Sequence, residues 1–349
     1  MEMSKLADAI PVLDFSGYEA NPDSRRRFLE ELRRAARDVG FFYLSGHGIP
    51  QSLIDDVLSV SGRFFALPDE DKLEIEMVNS PRFRGYNRVG QEPTKGQRDW
   101  REQVDIGSEA PSLPRDAGQP AWRRLQGPNQ WPSALPELKP LLLEWQERLT
   151  ELSTKLLKAF ATILEQDENA FEAIYAGTPN HLKIIRYPGR DATESEQGVG
   201  AHKDSGFLTL LLQEREGGLQ VEAADGNWID AEPRGGTFVV NIGELLEMAT
   251  DGYLKATVHR VVKPPAGTDR LSVAFFLGAP FDAEIPLLDL TPHLKAQASG
   301  VTRDPQNLLY RNSGQNALKS RLRSHPDVAR RHHADLIAAQ ARAEVAPFA

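Results

Sequence analysis

Gly200-Ala201-His202-Lys203-Asp204-Ser205-Gly206-Phe207, running on into Leu208-Thr209-Leu210-Leu211-Leu212-Gln213, sets a histidine and an aspartate two residues apart at the mouth of an apolar strand. In an extended chain, side chains two apart point the same way, so both can address one point in space. Around this stretch short β-like segments recur at steady spacing: His181–Tyr187, Phe207–Gln213, Leu219–Glu222, Trp228–Ala231, Thr237–Ile242, Ala256–Val262 and Leu271–Leu277. Asp225-Gly226-Asn227 between two of them is a hairpin signal, since Gly and Asn tolerate the positive φ of a tight reversal. Strands so spaced, with turns between, suggest a sandwich or barrel, so the fold expected is mainly β with flanking helices.

The helices come before and after. Phe28, Leu29, Leu32, Ala35 and Ala36 recur at helical steps between Ser24 and Val39, with Gly40 as the stop. Gln51–Phe65 repeats the pattern, and Leu138–Gln166 carries the longest apolar stripe, from Leu141 to Phe160. Ile10–Phe15 reads as an edge strand because Pro11 cannot donate a ladder hydrogen bond, and Phe41–Leu44 as a buried strand. Residues 79–136, rich in Pro, Gly, Arg and Trp, are expected to form long ordered loops beside a binding site. Helices return after Pro292 and end in a charged amphipathic stretch from Pro326 to about Glu344. Neither repeat nor flexible linker interrupts this order, so residues 1–349 are expected to form one domain: a helix-and-strand part (1–178), a β core (179–280) and a helical part (281–349).

Composition narrows the chemistry. The formal net charge of -9 argues against a nucleic-acid partner, whose phosphates call for concentrated Lys and Arg, and favours a small-molecule substrate. The clusters Arg25-Arg26-Arg27 and Arg330-Arg331 read as solvated helix faces. With no cysteine, thiolate metal sites and thiol nucleophiles are excluded, so any metal must use His, Asp or Glu. Met1–Lys5 lacks the apolar run of a signal peptide and nothing reads as a membrane span, so a cytoplasmic location is expected.

A second histidine, His259, sits inside the strand-like run Ala256–Val262, far enough along to return beside His202. Two histidines and one carboxylate on one face of an ion leave adjacent positions open, the arrangement of non-haem iron(II) oxygenases. His-x-Asp also occurs at His325-Pro326-Asp327 and His333-Ala334-Asp335. Helical residues two apart diverge by about 200°, so His333 and Asp335 cannot grip one ion, and Pro326 with Asp327 suits a helix start.

In Asp269-Arg270-Leu271-Ser272-Val273-Ala274-Phe275-Phe276, Arg270 and Ser272 share one face of an apolar strand. An inward guanidinium implies an anion: a ligand carboxylate, matched by the planar fork and the nearby hydroxyl, or an internal Asp or Glu.

These residues lie in a series of segments that resembles, over nearly the whole chain, the isopenicillin N synthase-like branch of the 2-oxoglutarate and iron(II)-dependent dioxygenases. The series comprises Ile10-Pro11-Val12-Leu13-Asp14-Phe15, Gly40-Phe41-Phe42-Tyr43-Leu44 with His47-Gly48-Ile49, Arg84-Gly85-Tyr86, Leu208–Gln213 with Gly217-Gly218-Leu219-Gln220-Val221, Val240-Asn241-Ile242-Gly243-Glu244-Leu245-Leu246, His259-Arg260-Val261 and Arg270-Leu271-Ser272. The resemblance implies a double-stranded β-helix, a distorted cupin-like jelly roll. It implies iron(II) on His202, Asp204 and His259, and 2-oxoglutarate held by Arg270, Ser272 and Tyr187. It also implies a reaction in which O2 oxidatively decarboxylates 2-oxoglutarate and a small organic substrate is hydroxylated or similarly oxidised. Lys183, Arg84, Tyr86 and Phe276 are candidates for the substrate pocket, each with a plain packing role as the alternative. Lys203, between the two ligands, is expected to face solvent.

Three other functions fit the same residues. An oxidase of the isopenicillin N synthase type shares the Ile185-Arg186-Tyr187-Pro188 pattern and would use Arg270 and Ser272 to hold its substrate without 2-oxoglutarate. A metal-free jelly-roll sensor would need no iron. A zinc hydrolase would need a general base, for which Glu244 or Glu247 could be named.

Overall fold

The computed structural model describes residues 10–113, 118–175, 180–189, 195–301 and 307–345, so the leader reading of Met1–Lys5 lies outside them. The strands are β1 (Val12–Asp14), β2 (Phe41–Ser45), β3 (Gly85–Asn87), β4 (Pro93–Thr94), β5 (Gln97–Arg98), β6 (Glu102–Gly107), β7 (His181–Tyr187), β8 (Gln197–His202), β9 (Leu208–Gln213), β10 (Leu219–Glu222), β11 (Trp228–Asp230), β12 (Phe238–Ile242), β13 (His259–Val262) and β14 (Arg270–Leu277). An eight-stranded sheet in the order β1-β2-β12-β9-β14-β7-β6-β3 faces a four-stranded sheet in the order β11-β10-β13-β8, and β4-β5 form a separate hairpin. Apart from the parallel β1-β2 edge, the neighbours in both sheets pair antiparallel. Two facing sheets with flanking helices make the expected jelly roll.

Alternation along each strand divides the large sheet into two faces. Ile184, Leu210, Val240, Val273 and Phe275 point outward into the main core, where Phe28, Leu32, Val57, Phe64, Leu149, Leu156 and Phe160 of the helices Pro22–Arg34, Gln51–Phe65 and Leu138–Ile163 cover them. Phe41, Tyr43, Ile185, Tyr187, Val239 and Ala274 point inward and meet Val199, Leu219, Val221 and Val261 of the small sheet. The helix Pro22–Arg34 runs on through a π-helical turn, Ala35–Val39, to Gly40 at φ 74°. A Cβ on Gly40 would come 2.2 Å from the Lys255 carbonyl oxygen, so both conformation and space demand glycine there.

Two readings are corrected. Residues 79–136 are not loop throughout: β3 and β6 extend the large sheet, and β4-β5 form a hairpin beside β8 of the small sheet. The strand β6 is hard to see because Glu102, Gln103 and Asp105 are polar yet buried, which disguises its alternation. The strand β8 is a second departure from the expected strands: Gly198 and Gly200 mask it in the sequence, and a Cβ on Gly198 would meet the Tyr187 ring at 3.1 Å.

Candidate active site

His202 ends β8 and His259 begins β13, and the two are direct partners across the antiparallel pair. Asp204 lies just past β8, in the turn toward β9. Ligand atoms of His202, Asp204 and His259 all fall within 4.8 Å of one another, a group that could hold a metal ion. Asp204 Oδ1 stands 3.5 Å from His202 Nε2 and 3.7 Å from His259 Nε2.

The far side of each ligand is anchored. His202 Nδ1 lies 2.8 Å from the Gly200 carbonyl and His259 Nδ1 3.2 Å from that of Thr257. A carbonyl only accepts, so each Nδ1 carries a proton, and in the neutral ring Nε2 presents a lone pair. Thr209 Oγ1 (2.6 Å) and Asn241 Nδ2 (2.8 Å) both donate to Asp204 Oδ2, which leaves Oδ1 to the ion. Burial would raise the Asp204 carboxyl, but His259, His202 and Thr209 hold it well below the carboxylate range. Burial first, then the neighbouring His202, pushes His259 down to about 4, so it is neutral at physiological pH. For His202 burial opposes protonation, yet the Asp204 hydrogen bond and charge outweigh it and raise its pKa.

Arg270 is fully buried on the inward face of β14, paired with Tyr187 of β7. Its Nη2 donates to Gln213 Oε1 (2.8 Å) and its Nη1 to Ser272 Oγ (3.3 Å), and the guanidinium lies 4.8 Å from the centre of the Tyr187 ring. Among the described residues no hydrogen-bond partner meets its Nε. Burial lowers its pKa, and Tyr187, not a carboxylate, is the neighbour that opposes the shift. The internal-acid alternative therefore fails among the described residues, and a buried cation with an open donor suits an incoming carboxylate.

The remaining candidates divide. Phe276 flanks the triad: it is opposite Thr209 and packs its ring 5.7 Å from that of His181. Lys183 is buried on the same face, 3.4 Å from Glu92 and 3.6 Å from Asp105. Arg84 is buried at the edge, its Nη1 3.4 Å from His181 Nδ1, and burial pushes it down to about 9. Tyr86 is not brought to the site: it faces the helices, 5.8 Å from the Phe64 ring, and its hydroxyl donates to Glu102. Lys203 is not solvent-facing either, for its Nζ pairs with Glu247 at 3.1 Å and its side chain is mostly buried. Glu247, held by Lys203 and by the Ala256 amide, is not free to act as a base. His325 and Asp327 flank Pro326 at a helix start, as the sequence suggests.

The structure adds Thr209, Asn241 and Gln213 to the site residues expected from the sequence. Each is a polar residue on an otherwise apolar strand, and that is the signal that could have found them. Among the described residues no helix is long and apolar enough to cross a membrane.

Known proteins share this architecture. Residues 179–279 match the family described as the 2OG-Fe(II) oxygenase superfamily, and residues 10–134 match the N-terminal region described for a non-haem dioxygenase in morphine synthesis. The chain is 38% identical over 338 residues to the 2-oxoglutarate-dependent dioxygenase frbJ of a Dothideomycetidae species, covering 92% of this chain and 91% of that one. It is also 38% identical to homoarginine-6-hydroxylase 2-ODD-C23.1 of Arabidopsis thaliana over 81% of this chain and 88% of the relative. The crystal structure of a full-length Neurospora crassa protein in complex with alpha-KG (2-oxoglutarate) and thymine superposes with a TM-score of 0.71 at 27% identity, covering 93% of this chain and 97% of that one. Fold, a His-Asp-His group able to hold a metal ion, and relatives agree, and the chain belongs to the 2-oxoglutarate and iron(II)-dependent oxygenase superfamily, oxidoreductases that use iron(II), 2-oxoglutarate and O2.

Proposed function

We propose that His202, Asp204 and His259 hold the iron, that Arg270, Ser272 and Tyr187 anchor the far carboxylate of 2-oxoglutarate, and that the enzyme hydroxylates a small polar organic molecule. The observation that carries the reading is Arg270: a fully buried guanidinium with an open Nε and only neutral partners, on the inward face of the large sheet, which the small sheet bearing the two histidines faces. Gln213 belongs to the same anchor, since it fixes Nη2 and so the plane of the fork. When bound, iron(II) with 2-oxoglutarate and O2 supplies the oxidising chemistry, in which 2-oxoglutarate becomes succinate and carbon dioxide.

The chain's own groups supply position and dryness. Backbone carbonyls aim the two imidazoles, Thr209 and Asn241 aim the carboxylate, and the apolar inward residues Ile185, Val199, Val261 and Ala274 exclude water from the inner space. Names of relatives support a small, nitrogen-bearing substrate: homoarginine for the plant enzyme and thymine in the Neurospora complex. The test is anaerobic addition of iron(II) and 2-oxoglutarate, which should produce the weak visible band of a chelated keto acid in the native protein and not in Arg270→Ala. Iron binding with no band would move Arg270 to the role of substrate anchor in an oxidase without 2-oxoglutarate.

A further inference from the structure

The inward face of the large sheet is apolar where it meets the small sheet, but it turns polar along β6 and β7. Gln103, Asp105 and Lys183 lie there beside Glu92, which precedes the β4-β5 hairpin, and Arg321 and His325 reach in from the helix Ser313–Ser324 and its end. Lys183 pairs with Glu92 (3.4 Å) and Asp105 (3.6 Å), Arg321 with Asp105 (2.7 Å), and Arg101 with Glu92 (3.1 Å) and Asp99 (3.2 Å). Gln103 Nε2 donates to both Glu92 and Asp105 at 2.6 Å.

This group adjoins the metal triad. Asp99 Oδ1 accepts from the Gly200 amide, and the Gly200 carbonyl is the one that fixes His202. On the other flank Phe276 lies between Thr209, which holds Asp204, and His181, which touches Asp105 at 2.8 Å.

Buried ions are costly unless every valence is met. Here, among the described residues, Gln103 Oε1, Arg101 Nε and His325 Nε2 have no hydrogen-bond partner, and Glu92 Oε1 has only Lys183 at 3.5 Å and His325 at 3.9 Å. Open valences of both signs thus occur within one buried cluster of charges. The acids Glu92, Asp99 and Asp105 stand against the bases Lys183, Arg101 and Arg321, with the buried Arg84 beside His181, so both signs are on hand for a ligand that carries both.

Resting on the oxygenase reading, we propose that this basin is the substrate subsite and that it takes a small zwitterion of amino-acid type, its ammonium at Glu92 and Gln103 and its carboxylate at Lys183 and Arg321. The substrate carbon to be oxidised then lies between the basin and the triad, over Phe276.

The holoenzyme with iron(II), 2-oxoglutarate and O2 would be screened for succinate release with the protein amino acids and L-homoarginine, and each stimulator compared with its decarboxylated and deaminated counterparts. Expected is stimulation by at least one zwitterion, with a loss of at least about tenfold in kcat/KM for each stripped analogue. Glu92→Gln should raise KM for the zwitterion at least about tenfold and change that of the deaminated analogue much less, a difference a misfolded variant would not show. Stimulation by no zwitterion, or equal stimulation by a stripped analogue, overturns the proposal while the anaerobic keto-acid band still forms. Absence of that band is the separate failure of the oxygenase site itself.

Discussion

His202 and His259 stand opposite one another on β8 and β13, their ring centroids 4.3 Å apart, each braced by the carbonyl of the residue two before it. Bracing from behind keeps both rings from turning, so the Nε2 atoms converge beside Asp204 before any ion arrives. The two imidazoles are electrostatically unequal: the pKa of His202 is raised and that of His259 is pushed down to about 4.

That inequality predicts a proton released on metal binding. A raised histidine pKa means that the proton is held below that pKa and must leave before the nitrogen can ligate, so affinity falls as pH falls. Anaerobic calorimetry with iron(II) from about pH 5.5 to 8, in buffers of contrasting ionisation enthalpy, should show affinity rising with pH by up to about tenfold per unit at the acid end. A flat profile would remove His202 from the ligand set.

Asn241→Leu and Thr209→Val each remove one donor from Asp204 Oδ2. Each should weaken iron(II) binding by about 10–100-fold while circular dichroism stays native, because the carboxylate is freed to rotate. Unchanged affinity in both would show that Asp204 needs no second partner.

Arg270→Met should not destabilise the protein free of co-substrate, for it replaces a buried cation lacking a carboxylate with an apolar side chain of similar length. Saturating 2-oxoglutarate at about 100 times its Kd should stabilise the native iron-loaded protein by about 2.7 kcal/mol and leave the variant unmoved. Equal thermal shifts in the two proteins would contradict the anchor.

Glu244 offers a pH-dependent test of stability. Burial first, with Glu247 adding to it and Lys203 opposing, pushes its carboxyl up to about 7. A carboxyl raised above its unfolded value costs stability as pH climbs from that value to the folded one, and the cost is level beyond. Glu244→Gln should therefore be near neutral at about pH 4.5 and stabilising by up to about 3 kcal/mol at about pH 8. Denaturant titrations at the two pH values read the difference directly.

Much of this was legible in the sequence because periodicity and residue type pointed the same way. The strand His181–Tyr187 and the helix Gln51–Phe65 have the expected bounds, and Arg270 with Ser272 shares a face as alternation requires. Legibility ended where function overrides propensity. The polar residues of β6 are buried because they meet other charges across the fold, from Arg321 in particular, and no local pattern announces a partner so distant in sequence. Tyr86 shows the converse: its segment borders the site, but alternation along β3 turns the ring to the helices.

The triad has a mechanical consequence as well. Both histidines belong to the small sheet, whereas the groups that aim Asp204, Thr209 on β9 and Asn241 on β12, belong to the large one. An ion held by all three is a rivet driven through both layers, and its grip gauges their alignment. A substitution in the apolar seam between the sheets, such as at Val199 or Val261, that slides one layer over the other would be felt as a slackened rivet, though no altered side chain touches the metal.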